Sequence, residues 1–138
     1  MNPADAAIQR LSHPEVYAIA NAHGAQAHCT TCASVLAPGW TSWPSGVPES
    51  TVEPLGALWL AGDDEPTYDE MRPMGMDSWS PDMPISLKHY PANRCEVWAC
   101  VSCHKPFLRY TEYGGYYVDK RVRELDPRRL VTEPTPSS

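Results

Sequence analysis

The stretch Cys100-Val101-Ser102-Cys103 decides how this chain folds, together with its earlier counterpart Cys29-Thr30-Thr31-Cys32. Two residues between cysteines let one tight turn aim both sulfur atoms at the same ion, and zinc binds soft thiolates in a tetrahedron. One such pair is weak support for a metal site, but two pairs supply the four ligands of a structural zinc. We therefore predict that these four cysteines hold one structural Zn²⁺ ion.

The two knuckles resemble the zinc-ribbon class, in which two cysteine knuckles at the ends of β-hairpins bind one zinc ion. The resemblance is at the level of the motif and identifies no particular family. It departs from the usual pattern at Ala33 and His104, which stand where a glycine commonly follows the knuckle. Zinc ribbons occur in nucleic-acid machinery, enzymes and adaptors, so the resemblance implies a scaffold and no particular activity.

Three further side chains lie beside the knuckles in sequence, namely His28, Cys95 and His104. We expect the two histidines to be neighbours of the ligands, or to replace a cysteine as ligand. Cys95 is the fifth cysteine, and we expect it to fill buried space or to serve as an alternative ligand.

Other chemistries compete for the same residues. The run from Cys100 to His104 also spells the c-type haem attachment motif, which requires export of the chain. A thiol-redox pair requires its first cysteine at a helix N-terminus, whereas both pairs are predicted on turns. His13-Pro14-Glu15 followed by Cys29 is similar to zinc nucleobase deaminases, but the separation is too short for their fold. The haem and deaminase interpretations each leave one cysteine pair without a role, so we favour the four-cysteine site.

Length and composition predict one folded domain, residues 1–138, with 42% hydrophobic and 20% charged residues. Fifteen prolines predict a loop-rich chain. The N-terminus, MNPADAAIQRLSHPE, lacks a basic patch followed by an apolar run, and no apolar stretch is long enough to cross a bilayer. We therefore expect a cytoplasmic protein without a membrane partner, a compartment in which paired cysteines are more often metal ligands than disulfides.

The N-terminal segment, residues 1–24, is predicted to be helical. Asn2-Pro3 opens a first helix over 3–11, and Ser12 with Glu15 forms a capping box for a second helix over 13–23. The first knuckle then spans residues 28–36. A proline- and tryptophan-rich insertion follows over 38–94, with strand candidates at Leu55–Leu60, Tyr68–Arg72 and Ile85–Tyr90.

The C-terminal part, residues 95–131, contains the second knuckle and a hairpin. Strands are predicted at Glu96–Ala99, Phe107–Tyr110 and Tyr116–Val118, with a turn at Gly114-Gly115 and a short helix over 119–125. The tail, 132–138, is expected to be flexible. The fold class is therefore α+β: N-terminal helices, then a loop-rich and mainly antiparallel β domain stapled by a zinc-ribbon-like four-cysteine site.

Function follows less directly from these patterns. A structural zinc has all its positions filled and cannot activate water, which favours a binding role. Residues 49–82 carry nine acidic side chains against Arg72 alone, in a chain of net charge −6. We expect a protein partner with a basic surface, with an inhibitor or immunity-type protein as one version. The expected binding surface comprises Trp40, Trp43, Trp59, Asp63, Asp64 and Trp79.

The alternative is a nucleic-acid-associated zinc ribbon, in which aromatic rings stack on bases and basic groups hold phosphates. Its candidate contacts are Lys105, Arg109, Tyr113, Tyr116, Arg121 and Arg123. A second alternative is an enzyme with an unrecognised site near His89 and Tyr90 or the acidic cluster Asp63-Asp64-Glu65.

Overall fold

The computed structural model describes residues 9–60, 62–70, 76–77, 79–113 and 116–131. Within these residues the fold combines one α-helix with a five-stranded antiparallel sheet, as expected for an α+β protein. The helix α1 spans His13–His23, and the strands are β1 (Thr41–Ser42), β2 (Val52–Ala57), β3 (Glu96–Cys100), β4 (Pro106–Tyr113) and β5 (Val118–Glu124). No helix in this described part is long and apolar enough to span a bilayer.

Helix α1 begins where the capping box predicted. The Ser12 hydroxyl accepts a hydrogen bond from the Glu15 amide at 3.2 Å, and the Glu15 carboxylate accepts one from the Ser12 amide at 2.9 Å. Both bonds satisfy amide groups that a helix start leaves without intrahelical partners. Val16 and Ala20 are buried on the inner face, and the helix ends before Gly24. The prediction of a helix over 13–23 is confirmed.

The predicted first helix, 3–11, is wrong in its described part, and its residues 3–8 lie outside the described residues. Gln9–Leu11 run extended beside β2: the Leu11 amide donates to the Ala57 carbonyl at 2.8 Å, and the Ala57 amide donates to the Gln9 carbonyl at 2.8 Å. An edge strand offers unpaired backbone groups, and pairing with them outweighs local helix propensity at this position.

The sheet has the order β1-β5-β4-β3-β2, and all neighbouring strands are antiparallel. Strands β3, β4 and β5 come from the C-terminal part of the chain, whereas the insertion 38–94 supplies both outer strands, β1 and β2. The insertion is therefore built into the same sheet as the second knuckle, on both of its sides.

Two strand predictions in the insertion are wrong, and a third is displaced. The strand predicted at Leu55–Leu60 is observed as β2, three residues earlier. Tyr68–Glu70, the described part of the second candidate, are not in a strand. Ile85 makes only an isolated bridge to Leu130, and 87–90 form turns and bends in which the His89 amide bonds to Ser86 and the Tyr90 amide to Asp69. Short runs of strand-forming residues adopt strand structure only where a neighbouring strand pairs with them.

At the C-terminus, the strands predicted at Glu96–Ala99 and Phe107–Tyr110 are confirmed and extended as β3 and β4. The predicted helix over 119–125 is wrong, because 118–124 form strand β5. Val118 and Val122 are four apart, a spacing that fits one face of a helix and one face of a strand equally well. Pairing decides between them, since β5 lies between β4 and β1. The predicted turn at 114–115 lies outside the described residues.

Two apolar clusters fill the fold. One lies between α1 and the sheet and includes Val16, Val97 and Leu108. The other surrounds the first knuckle and includes Val35 and Phe107, together with the cysteines at positions 32 and 100. The cysteine site therefore lies against the core, and the second cluster encloses part of the site.

Candidate metal centre

The four predicted ligand cysteines meet at one point. Cys29 Sγ lies 3.8 Å from Cys32 Sγ and 3.6 Å from Cys100 Sγ, and Cys32 Sγ lies 3.8 Å from Cys103 Sγ. All four sulfur atoms lie within 4.8 Å of one another, and all four cysteines are free of disulfides. A tetrahedron with Zn–S bonds of about 2.3 Å has S···S edges of about 3.8 Å. The group therefore has the size and the donor set of a four-cysteine metal site, which confirms the prediction at motif level.

The second knuckle closes the turn between β3 and β4. The His104 amide donates to the Cys100 carbonyl at 2.9 Å, and the Cys100 amide donates to the Lys105 carbonyl at 2.9 Å. His104 adopts a positive φ of 69°, the conformation for which glycine is favoured. The missing glycine is therefore replaced by a histidine in the left-handed region, where histidine is tolerated better than most residues.

Backbone amides and burial act in opposite directions on the thiols. The pKa of Cys29 is lowered to about 6, mainly because its sulfur accepts a hydrogen bond from the backbone amide of Cys32. Burial raises the pKa of Cys32 and that of Cys100 above the usual thiol range. A metal ion that binds these sulfurs displaces protons from the two buried thiols, and its charge then compensates for the thiolates that form.

A buried lysine connects the two halves of the site. Lys105 is 3% exposed, and its ammonium group donates to the carbonyls of Gly24 at 3.1 Å and Gln26 at 2.8 Å. It also lies 3.6 Å from a carboxylate oxygen of Glu124. The Gln26 side chain donates in turn to the Cys103 carbonyl at 2.8 Å. The chain entering the first knuckle is thereby tied to the chain leaving the second.

Glu124 and two hydroxyls complete this connection. The Glu124 carboxylate accepts a hydrogen bond from the Ala37 amide at 2.8 Å, just after the first knuckle. At the outer tips of the knuckles, Thr31 and Ser102 share a hydrogen bond of 2.7 Å between their hydroxyls. Sequence reasoning missed this network, because its hydrogen-bonded partners are 71 or more positions apart and no local pattern marks them.

The three neighbours of the knuckles do not join the ligand group, which among the described residues consists of the four cysteines. His28 donates through Nε2 to the Val35 carbonyl at 2.8 Å and lies 3.4 Å from Glu124. Cys95 is fully buried in the cluster below α1, where its thiol donates to the Pro91 carbonyl at 3.2 Å. The ring of His104 lies 5.8 Å from that of His23, centroid to centroid, with the two planes tilted by 52°.

The residues predicted to form a protein-binding surface differ in their exposure to solvent. Trp40 is buried and packs edge-on against Tyr110, with ring centroids 4.9 Å apart. Trp79 is 51% exposed. Asp63 pairs with Arg10, which lowers the pKa of that carboxyl to about 2. The remaining members are Trp43, which packs against the second cluster, Trp59, which is half-buried, and Asp64, which is exposed.

The predicted nucleic-acid contacts divide into two groups. Three basic side chains are buried, those of Lys105, Arg109 and Arg123. The Arg121 guanidinium bonds to Asp119 and lies over the ring of Trp79. Only the rings of Tyr113 and Tyr116, 78% and 104% exposed, stand free in solvent among these six residues. The basic groups are thus largely used within the fold.

A second feature, an open groove of about 1050 Å³, lies on the sheet. Alternate residues of β3 and β4 form part of its lining, including Glu96, Trp98, Arg109 and Thr111. The sequence contains a signal for it, because polar and aromatic side chains alternate with buried Val97 and Leu108 in these strands. Tyr90, which was predicted to lie near a possible enzyme site, also lines this groove, whereas the pocket that it shares with His89 encloses only about 20 Å³, room for one water molecule.

The cysteine geometry and the fold define the class of site: two Cys-x-x-Cys knuckles converging beside an antiparallel sheet. No protein family, curated protein or solved structure matches the chain.

Proposed function

We propose that the chain is a zinc-binding protein in which Zn²⁺ is structural and holds the two knuckles together. The observation that carries this proposal is the convergence of four sulfur atoms at the edge lengths of a zinc–thiolate tetrahedron. With four thiolates bound, no coordination position is left for water or substrate, so the ion stabilises the fold and takes no part in catalysis.

On this scaffold the protein acts by binding another protein. Support comes from the open groove beside the sheet and from exposed aromatic side chains at Tyr68, Trp79, Tyr113 and Tyr116. Aromatic residues are enriched in protein interfaces, and exposed apolar groups mark interaction sites. An inhibitor or immunity-type protein that covers a basic surface of its partner is the specific version that fits the net charge of −6.

Elemental analysis of the purified protein tests the metal assignment. We expect one zinc ion per chain. The Cys103→Ser variant should lose this zinc and no longer show a cooperative unfolding transition, because the free energy of binding at a structural zinc contributes to folding. The matched control is Cys95→Ser, which replaces a buried cysteine outside the ligand group and keeps the zinc. Iron, or a metal-free chain that folds normally, would contradict the assignment.

Photo-crosslinking in cells of the source organism tests the binding role. A photoreactive side chain is placed at position 79 or 116, because Trp79 and Tyr116 are exposed and lie outside the groove lining. We expect crosslinks to one protein species, identified by mass spectrometry and absent for a probe in the buried position of Val97. Crosslinks to nucleic acid, or to no discrete species, would argue against the role.

A further inference from the structure

The groove holds two arginines in the same chemical setting. The Arg109 guanidinium lies 4.4 Å from the ring centroid of Trp43 and 4.8 Å from that of Trp98. It also donates to a Glu49 carboxylate oxygen at 2.6 Å. Aromatic faces attract a guanidinium through their quadrupole, while the carboxylate fixes its position in the plane.

The second arginine repeats this arrangement on the loop side of the groove. The Arg94 guanidinium lies 4.1 Å from the ring centroid of Tyr68 and 4.9 Å from that of Tyr90. It donates to Glu65 at 3.0 Å. The groove thus already holds two guanidinium groups of the chain itself, those of Arg94 and Arg109, each between aromatic rings and a glutamate.

Charge in the groove is not balanced by these internal pairs. Five glutamates line it against three cations, Arg94, Arg109 and Lys120. All three cations are paired with Glu49 or Glu65. Two other glutamates accept hydrogen bonds from neutral donors: Glu96 from the Trp98 indole at 2.9 Å, and Glu112 from the Tyr90 hydroxyl. Among the described residues neither of these two carboxylates forms an ion pair, although the charge of Arg121 on β5 attracts Glu112.

We infer that the groove binds an extended, arginine-bearing segment of the partner protein, whose guanidinium groups pair with Glu96 and Glu112 and stack on the exposed ring of Tyr113. This inference rests on the proposed protein-binding role and names its site and its ligand chemistry. A volume of about 1050 Å³ reaches the upper end of the range for small-molecule pockets and accommodates several residues of a peptide. Arginine fits better than lysine, because its planar group both stacks on rings and bonds carboxylates in a fork.

Fluorescence anisotropy with labelled synthetic peptides on the zinc-loaded protein tests the inference. The probe is a short Gly/Ser peptide with arginine at alternate positions, and its matched control carries neutral citrulline at the same positions. We expect saturable binding of the arginine peptide that weakens with added salt, weaker binding of a lysine analogue, and none of the citrulline peptide. Absence of arginine-peptide binding at millimolar concentration would overturn the inference.

Two variants locate the site. Glu96→Gln combined with Glu112→Gln keeps an acceptor oxygen for each internal donor and removes both charges, and we expect it to weaken binding by about tenfold. Tyr113→Ser removes a ring that is 78% exposed, so the fold stays intact while stacking is lost. The control is Glu53→Gln, an exposed glutamate on β2 outside the groove lining, which should leave affinity within about twofold.

The remaining outcomes separate this inference from the proposed function. Equal loss of affinity in Glu53→Gln and in the double variant would mean non-specific charge attraction and would overturn the groove site. Displacement of the peptide by single-stranded DNA would assign the surface to nucleic acid. If crosslinking from positions 79 and 116 captures one protein species while the arginine peptide does not bind, the protein-binding role stands and the groove inference fails.

Discussion

Replacing Lys105 by methionine is expected to destabilise the protein and to weaken metal binding. The side chain is 3% exposed, and its ammonium group bonds two main-chain carbonyls at 2.8 and 3.1 Å. A hydrogen bond from a charged group contributes at least about 1.5 kcal/mol, so the two bonds together are worth about 3 kcal/mol. Methionine fills similar space without donors, and it leaves Glu124 without its nearby ammonium group at 3.6 Å.

Urea unfolding of the zinc-saturated protein, followed by tryptophan fluorescence, measures this loss. We expect Lys105→Met to lower the free energy of unfolding by about 3 kcal/mol. Competition with a chelating dye should show zinc affinity lowered by about tenfold, because side chains that orient metal ligands commonly have effects of this size.

The matched control is Lys120→Met, which removes an ion pair with Glu49 from a side chain that is 56% exposed. Exposed ion pairs contribute less than about 1 kcal/mol, so the free energy of unfolding and the zinc affinity of this variant should remain close to those of the original protein. Equal, small effects of both substitutions would refute the reasoning that the buried lysine joins the two halves of the site.

Three further predictions concern single positions. His104→Gly should raise the free energy of unfolding by about 1 kcal/mol, because φ at this position is 69°, whereas His104→Val should lower it; thermal unfolding of the zinc-loaded forms measures both. Gly24→Ala should destabilise the fold, because an added Cβ would lie 2.3 Å from the Leu125 carbonyl oxygen and 2.6 Å from that of Ala20; an unchanged urea midpoint would contradict this close approach. Burial raises the pKa of Tyr110 to about 12, so its neutral form stabilises the fold fully below pH about 10 and less as the pH rises towards 12; Tyr110→Phe should therefore flatten the loss of stability over that interval, seen by circular dichroism.

Local chemistry accounts for the features that the sequence predicted correctly. The capping box at Ser12 acts over three residues, and each Cys-x-x-Cys turn acts over four, so both could be recognised without knowing the rest of the fold. Strands β3 and β4 were also predictable, since alternating side chains flank the second knuckle. Convergence of the two knuckles could be inferred as well, because zinc requires four ligands and each knuckle supplies two.

Pairing between distant segments accounts for the errors. Residues 9–11 and 118–124 have sequences compatible with helix, yet each lies beside a strand whose backbone groups need partners. The same reason explains why Tyr68–Glu70 and 86–90 are not strands. A spacing of four residues places side chains on one face of either structure, so only the position of neighbouring strands distinguishes them.

The sequence by itself determined the four candidate ligand cysteines, the helix start and the α+β class, because each depends on residue chemistry at short spacing. Only the tertiary structure decided which charged groups are internal and which face solvent. Lys105, Arg109 and Arg123 are basic residues like any others in the sequence, but their surroundings bury them. The groove likewise exists only because the sheet and the loops of the insertion meet, and burial and charge balance depend on contacts between residues far apart in the chain.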